Sequence, residues 1–169
     1  MSDPDDEVDF EAGDHQISEL QIDETTLPTL SVEMQHERRV AIFDLIEDNC
    51  FFPKGSANGP YLLTLSLEPG DRLHFDVRTT TGMPRKDFRI TLVPFRRVIK
   101  DYFMICESYH NAIRTATSAQ IEAIDMGRRG LHNEGSRMLT DALRNHAELD
   151  FTTSRRLFTL ICSLRRRSA

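Results

Sequence analysis

Three stretches of alternating apolar and polar residues, separated by tight turns, constrain the fold of this chain more than any other feature. The turns lie at residues 68–71 and 80–84, and each contains a Pro and a Gly. Alternation interrupted by such turns predicts an antiparallel β-meander with one apolar and one polar face. The residues predicted to face the core are Tyr61, Leu63, Leu65, Leu67, Leu73, Phe75, Val77, Phe88, Ile90 and Leu92.

Helical periodicity flanks the predicted meander on both sides. Pro94 opens one helix, in which proline at the first position is harmless because its missing N–H would have no partner there. Another helix is predicted from Ser31 to Asn49, a third from Ser118 to His146, and a fourth from Asp150 onward. A short strand is predicted at residues 17–23. The predicted fold class is therefore α+β, a small antiparallel β-meander packed on one face by several α-helices.

The spacing of apolar residues also predicts which side each terminal helix buries. The helix after Ser31 is expected to bury Val40, Phe43, Leu45 and Ile46. The helix after Asp150 is expected to bury Leu157, Phe158, Leu160, Ile161 and Leu164.

The charge of the chain is divided unevenly along its length. Of the 27 acidic residues, eleven lie in residues 1–34, which contain no Lys or Arg, although the whole chain contains 21 basic residues. The part after residue 34 is therefore mildly basic, which favours an anionic partner, although arginine-rich surfaces are also common without one. The predicted organisation is a disordered acidic leader at 1–16, a single α+β domain at 17–164 and a basic tail at 165–169.

Composition excludes several classes of protein. No apolar run approaches the roughly 20 residues that span a bilayer, and the acidic N-terminus does not resemble a signal peptide. The three cysteines have no CxxC spacing, and the six histidines show no metal-ligand spacing. We therefore expect a cytoplasmic protein with no membrane contact, no metal and no cofactor.

The segment from Gly127 to Gly135 departs from the pattern of an ordinary core helix. It contains three glycines, and a glycine inside a helix costs about 1 kcal/mol relative to alanine. This density predicts a break near Gly130 or the close approach of another backbone. Arg128 lies at the edge of the apolar stripe, and Asp125 is one helical turn before it, so the two are expected to form a structural ion pair.

Three hypotheses for this segment follow from its residues. The Asp125–Arg128 pair and the glycines serve only helix packing. Alternatively, a helix that starts after Gly130 offers free N–H groups and, with nearby arginines, binds an anion. In the third hypothesis His132 and Glu134 act as acid and base, for which the required geometry cannot be read from sequence. The candidate ligand-binding residues are Arg128, Arg129, His132, Asn133 and Glu134.

These hypotheses lead to three possible functions. The first is a binding or regulatory module that contacts a protein or a small anionic ligand near the Gly127–Gly135 segment. The second is a small enzyme acting on a phosphorylated or nucleotide substrate at the same place, although we favour a protein without catalytic activity. The third is a nucleic-acid-binding protein that uses Arg96, Arg97, Lys100 and the arginine-rich tail.

Four strings in the sequence carry a resemblance to a known family. They are AIFDLIE at 41–47, PFRRVIKDYFMICESY at 94–109, IEAIDMGRRGLHNEG at 121–135 and RLFTLIC at 156–162. The chain resembles the bacterial uncharacterised protein family 0262 from about Ile17 to Leu164. The resemblance implies an intracellular bacterial protein without an assigned activity, and it brings no functional residues with it. The acidic leader is longer than is typical of the family.

Overall fold

The computed structural model describes residues 15–27, 32–56 and 58–165. The predicted disorder of residues 1–14, the predicted helix start at Ser31 and the basic tail beyond Arg165 lie outside this part of the chain. The strands are β1 (Ile17–Ile22), β2 (Phe51–Pro53), β3 (Tyr61–Glu68), β4 (Arg72–Thr79), β5 (Pro84–Thr91) and β6 (Ala147–Leu149). The helices are α1 (Val32–Glu47), α2 (Arg96–Thr115), α3 (Ser118–Leu143) and α4 (Phe151–Arg165).

The main sheet has the order β1-β3-β4-β5, and the fold class is α+β as predicted. The meander of β3, β4 and β5 is antiparallel, in agreement with the alternation in the sequence. β1, however, pairs with β3 in parallel, so the sheet as a whole is mixed. The parallel pairing follows from α1, which carries the chain back across the sheet between β1 and β3.

An irregularity in β1 explains why its apolar pattern does not alternate. The register against β3 shifts between Ile17 and Glu19, so that Ile17 and Leu20 both face the core. A β-bulge of this kind changes which side chains face inward. The core-facing residues predicted for the meander are buried in the structure, except Leu67, which is half-buried.

α4 is the central helix of the helical layer and packs between α1 and α3. All five residues predicted to be buried on α4 are buried. Asp150 caps the helix, because its side chain accepts a hydrogen bond from the backbone N–H of Thr153 at 2.9 Å.

The predicted buried side of α1 was correct for two of its four residues. Leu45 is buried and Ile46 is half-buried, whereas Val40 is 45% exposed and Phe43 is 66% exposed. The buried Ala41 was not predicted. The same side of α1 buries Arg38, which donates to the backbone carbonyl of Ser163 on α4. Because this side includes a polar residue, the apolar periodicity of the sequence pointed to the neighbouring stripe.

The predicted break at Gly130 was also wrong, because α3 runs without interruption from Ser118 to Leu143. Its N-cap is Thr117, which forms a capping box with Gln120. The close approach predicted at the glycines occurs at two of them, and side chains rather than backbone approach. A Cβ added at Gly127 would lie 2.7 Å from Ile105 Cδ1, and one added at Gly135 would lie 2.2 Å from Phe158 Cζ.

A second, two-stranded sheet of β2 and β6 was not predicted, since strands of three residues give too short a pattern. This sheet ties the beginning of the domain to the beginning of α4. The backbone N–H of Phe51 donates to the carbonyl of His15, and the N–H of Cys50 donates to the Thr153 hydroxyl. The segment around residue 50 therefore contacts both His15 and the first turn of α4.

A candidate anion site between two helices

A cavity of about 430 Å³ lies where α3 and the first turns of α4 face each other. α3 contributes Arg128 and Arg129, and His132 follows one turn later on the same side of the helix. α2 contributes Tyr102. α4 contributes Thr152, the neighbouring pair Arg155 and Arg156 one turn later, and Thr159 a further turn along.

Two of the cavity arginines share one carboxylate that lies outside the lining. Arg128 donates to Asp125 Oδ1 at 2.6 Å, and Arg129 lies 3.0 Å from Asp125 Oδ2. The Arg128 guanidinium also lies over the Tyr109 ring, 4.6 Å from its centroid. Asp125 and Tyr109 therefore hold Arg128 in one orientation, and the hydrogen bond that Arg128 donates to Asp125 raises the pKa of Arg128.

The two arginines of α4 differ in their partners. Arg156 donates to the backbone carbonyls of Asp44 and Asp48, at 3.1 and 2.5 Å. The Asp48 carboxylate lies 3.9 Å away and is itself largely exposed. Arg155 is exposed and has no carboxylate partner among the described residues. Arg155 is therefore a cation at the cavity whose charge is not compensated by an ion pair.

The N-terminus of α4 lies at the cavity, and the Asp150 carboxylate that caps it offsets part of its positive potential. Thr152 lies in the first turn of this helix and lines the cavity. Backbone N–H groups and the helix dipole both favour an anion near a helix N-terminus. A helix terminus therefore does lie at the cavity, but it belongs to α4 and not to a helix starting after Gly130.

His132 is neutral near pH 7 and contacts the Thr159 hydroxyl of α4. Its Nε2 lies 2.7 Å from the hydroxyl of Thr159, and that hydroxyl donates its proton to the carbonyl of Arg155. A proton on His132 Nε2 is compatible with both contacts, and Nδ1 is buried without a hydrogen-bond partner. Burial, together with the positive charges of Arg155 and Arg128, lowers the pKa of His132 to about 4.

Apolar and weakly polar groups pack around the His132 ring, and of these only Tyr102 also lines the cavity. The His132 ring packs against the rings of Phe158 and Tyr102, with centroids 5.3 and 5.4 Å away. Burial raises the pKa values of Tyr102 and Cys162 well above their usual ranges, so both stay protonated at neutral pH. These groups contribute no negative charge to oppose an anion.

The structure brings together three of the five candidate ligand-binding residues and separates the other two. Arg128, Arg129 and His132 line the cavity, whereas Asn133 and Glu134 do not. Asn133 is half-buried, and its Oδ1 has no hydrogen-bond partner. Glu134 is exposed.

The α4 half of the cavity was missed by the sequence analysis. Its four residues do carry a signal, because positions 152, 155, 156 and 159 form a polar stripe at helical spacing. The apolar periodicity of α4 indicated only the opposite, buried side of the helix. Only the three-dimensional structure shows that this stripe faces Arg128 and Arg129.

A second cluster of titratable groups lies on the outer face of the main sheet. His74 Nε2 lies 2.8 Å from Asp87 Oδ1, and its Nδ1 lies 3.4 Å from the Ser66 hydroxyl. The three residues come from neighbouring strands, and Asp87 is shared with Arg89 at 3.2 Å. None of the three cavities described in this structure includes the Ser66–His74–Asp87 cluster. It is an array of cross-strand polar pairs.

Neither a metal centre nor a membrane span is found in the described ranges. Within 15–27, 32–56 and 58–165, no three His, Cys, Asp or Glu residues are grouped in a way that could hold a metal ion. No helix among these residues is long and apolar enough to cross a membrane.

The protein is therefore an α+β protein in which α3 and α4, with Tyr102 of α2, form a cavity lined by four arginines. The chain belongs to the Uncharacterised protein family (UPF0262), which matches residues 14–167. The resemblance noted in the sequence is thereby confirmed. No solved structure matches the chain.

Several bacterial relatives resemble the chain over most of its length. A UPF0262 protein of Rhizobium leguminosarum is 54% identical over 153 residues, which cover 90% of this chain and 96% of the relative. One from Maricaulis maris is 51% identical, with 92% and 97% covered. One from Nitrobacter winogradskyi is 50% identical, with 89% of each chain covered.

Proposed function

We propose that this protein is a cytoplasmic binding module that holds an anionic group of its ligand in the cavity between α3 and α4. The observation that carries the proposal is the composition of the lining, which includes four arginines and no acidic residue. The guanidinium fork matches the oxygens of carboxylates and phosphates, and it stays charged at any physiological pH. The absence of disulfides among the three cysteines agrees with a cytoplasmic location.

The arrangement of charges supports binding of an added anion over a purely structural role. A structural network would match each arginine with a carboxylate. Here Asp125 serves two arginines, Asp48 lies at the limit of contact with Arg156, and Arg155 has no carboxylate partner among the described residues. The dipole of α4 acts in the same direction, although its Asp150 cap compensates part of it. An anion that binds here gains charge-assisted hydrogen bonds in a partly desolvated site.

The contacts of the other candidate residues favour neither catalysis nor nucleic-acid binding. Glu134 is outside the cavity lining, so it is poorly placed to act with His132. Arg96, which the nucleic-acid hypothesis requires, lies 2.7 Å from Asp71. The proposal is therefore limited to binding.

Calorimetric titration of the full chain with pyrophosphate, as a compact polyanion, tests the proposal. We expect saturable binding that weakens about tenfold or more in Arg155→Gln, since a charge-assisted contact contributes roughly 1.5–3 kcal/mol. Arg97→Gln is the matched control, because Arg97 is 93% exposed on α2 and outside the cavity. Equal affinity in the wild type and both variants would refute the proposed site.

A further inference from the structure

We infer that the acidic leader, residues 1–14, occupies the arginine cavity of its own chain and competes with the anionic ligand. This inference rests on the proposed function, because it uses the same cavity. Three observations support it: the place where the leader joins the described structure, the charges of the two partners, and a partly apolar groove that continues from the cavity.

The leader joins the domain at a segment that also contacts the first turn of α4. His15, the first described residue, accepts a hydrogen bond from the backbone of Phe51 at 2.8 Å, and its ring lies 4.4 Å from that of Phe52. The neighbouring Cys50 donates to Thr153, and Thr153 adjoins the cavity residue Thr152. At about 3.3 Å per residue, a segment of this length can extend roughly 45 Å. The length of the leader therefore does not prevent it from docking in the cavity.

The leader and the cavity have opposite charges. The cavity lining contains four arginines. The leader contains no Lys or Arg and seven acidic residues: Asp3, Asp5, Asp6, Glu7, Asp9, Glu11 and Asp14. Since the segment is tethered, its effective concentration at the cavity is on the order of millimolar, and even weak contacts can compete with a diffusing anion.

The cavity opens into a larger groove that suits the apolar residues of the leader. This groove, of about 1090 Å³, lies between α1 and α2 and shares Tyr102, Arg128 and Thr159 with the cavity. Its walls combine apolar residues, among them the exposed Val40 and Met104, with charged residues of both signs. Three of the charged residues are acidic: Glu37, Asp44 and Glu107. The leader places Val8 and Phe10 among its acids. A peptide that combines carboxylates with spaced apolar side chains matches both parts of the surface, whereas a simple inorganic anion matches only the cavity.

The inference can be tested in the full chain by removing the charge of the leader without changing its length. In the leader-neutral variant, acids 3 to 11 become the matching amides. In the charge-retaining control, each Asp in the same range becomes Glu and each Glu becomes Asp. The probe is pyrophosphate, and the readout is its dissociation constant by calorimetry at low and high salt. A synthetic peptide of residues 1–14 is titrated separately into the leader-neutral chain.

We expect the leader-neutral chain to bind pyrophosphate at least tenfold more tightly than the wild type, and the charge-retaining control to behave like the wild type. The added peptide should compete with pyrophosphate, and Arg155→Gln should weaken binding of the peptide to the leader-neutral chain. Equal pyrophosphate affinities in all three chains would refute leader docking and leave the anion site intact. No pyrophosphate binding by the leader-neutral chain would instead refute the anion site, so the two failures are distinguishable.

Discussion

The ring of Phe158 on α4 lies directly against the backbone of Gly135 on α3. A Cβ at Gly135 would lie 2.2 to 2.7 Å from three atoms of this ring, which is fully buried. Glycine is therefore required here by the close packing of the two helices that form the cavity.

Substitution by alanine should change the free energy of unfolding in opposite directions at Gly135 and Gly130 of α3. Gly135→Ala is expected to destabilise the protein by about 1–3 kcal/mol, because the buried ring has little room to move. Gly130 has open space where a Cβ would lie, so Gly130→Ala should stabilise the helix by about 0.5–1 kcal/mol. Urea unfolding measures both. Equal effects of the two substitutions would show that α3 and α4 are not packed as described.

Asp71 should be one of the most important carboxylates for stability. It is 7% exposed at the β3–β4 turn and pairs with both Arg96 at the start of α2 and Arg165 at the end of α4. Asp71→Asn keeps a residue type that tolerates the positive φ of +62° but removes the charge.

We expect Asp71→Asn to cost about 1–3 kcal/mol, less than for a fully buried pair because the arginines are partly exposed. Asp101→Asn is the control, since the Arg97–Asp101 pair is exposed and 3.8 Å long. It should change the free energy of unfolding by less than about 0.5 kcal/mol. A loss as large in the control as in Asp71→Asn would contradict this role.

His132 should make stability depend on pH in the mildly acidic range. Its pKa is about 4 in the folded protein against 6.5 as the ordinary value, so the unfolded chain binds more protons between these two values. Stability from this group is present above about pH 6.5 and is lost as the pH falls through that window toward 4.

His132→Gln keeps a donor near Thr159 and removes the titration. We expect its free energy of unfolding to fall less steeply between pH 6.5 and 4 than that of the wild type, as measured by urea unfolding at several pH values. Parallel curves for the two proteins would show that His132 has an ordinary pKa in the folded state. An anion bound near the ring would raise its pKa, because it stabilises the protonated form.

The sequence was sufficient to predict the meander, because each strand from β3 to β5 has one buried and one solvated face. Alternation of apolar and polar residues indicates this arrangement directly. It was insufficient for α1, where the buried Arg38 interrupts the apolar stripe on the side that packs. The glycines of α3 could not be told apart either. Their roles depend on Ile105 and Phe158, which approach from other helices.

For the candidate site, the sequence indicated the α3 half and missed the α4 half. Arg128, Arg129 and His132 stood out because three glycines mark their segment and because Arg128 and His132 lie at the edge of the apolar stripe. Arg155 and Arg156 did not, because charged residues on the open side of an amphipathic helix are ordinary. The cavity arises from the packing of α3 against α4, and no local pattern encodes that contact.

The most direct test of the anion site is NMR observation of the arginine Nε–H groups of the full chain as pyrophosphate is added. We expect saturable shifts at the four cavity arginines, Arg128, Arg129, Arg155 and Arg156, with little change at Arg97 and Arg114 on α2. Shifts of equal size at all exposed arginines, or none at the four cavity arginines, would contradict the account.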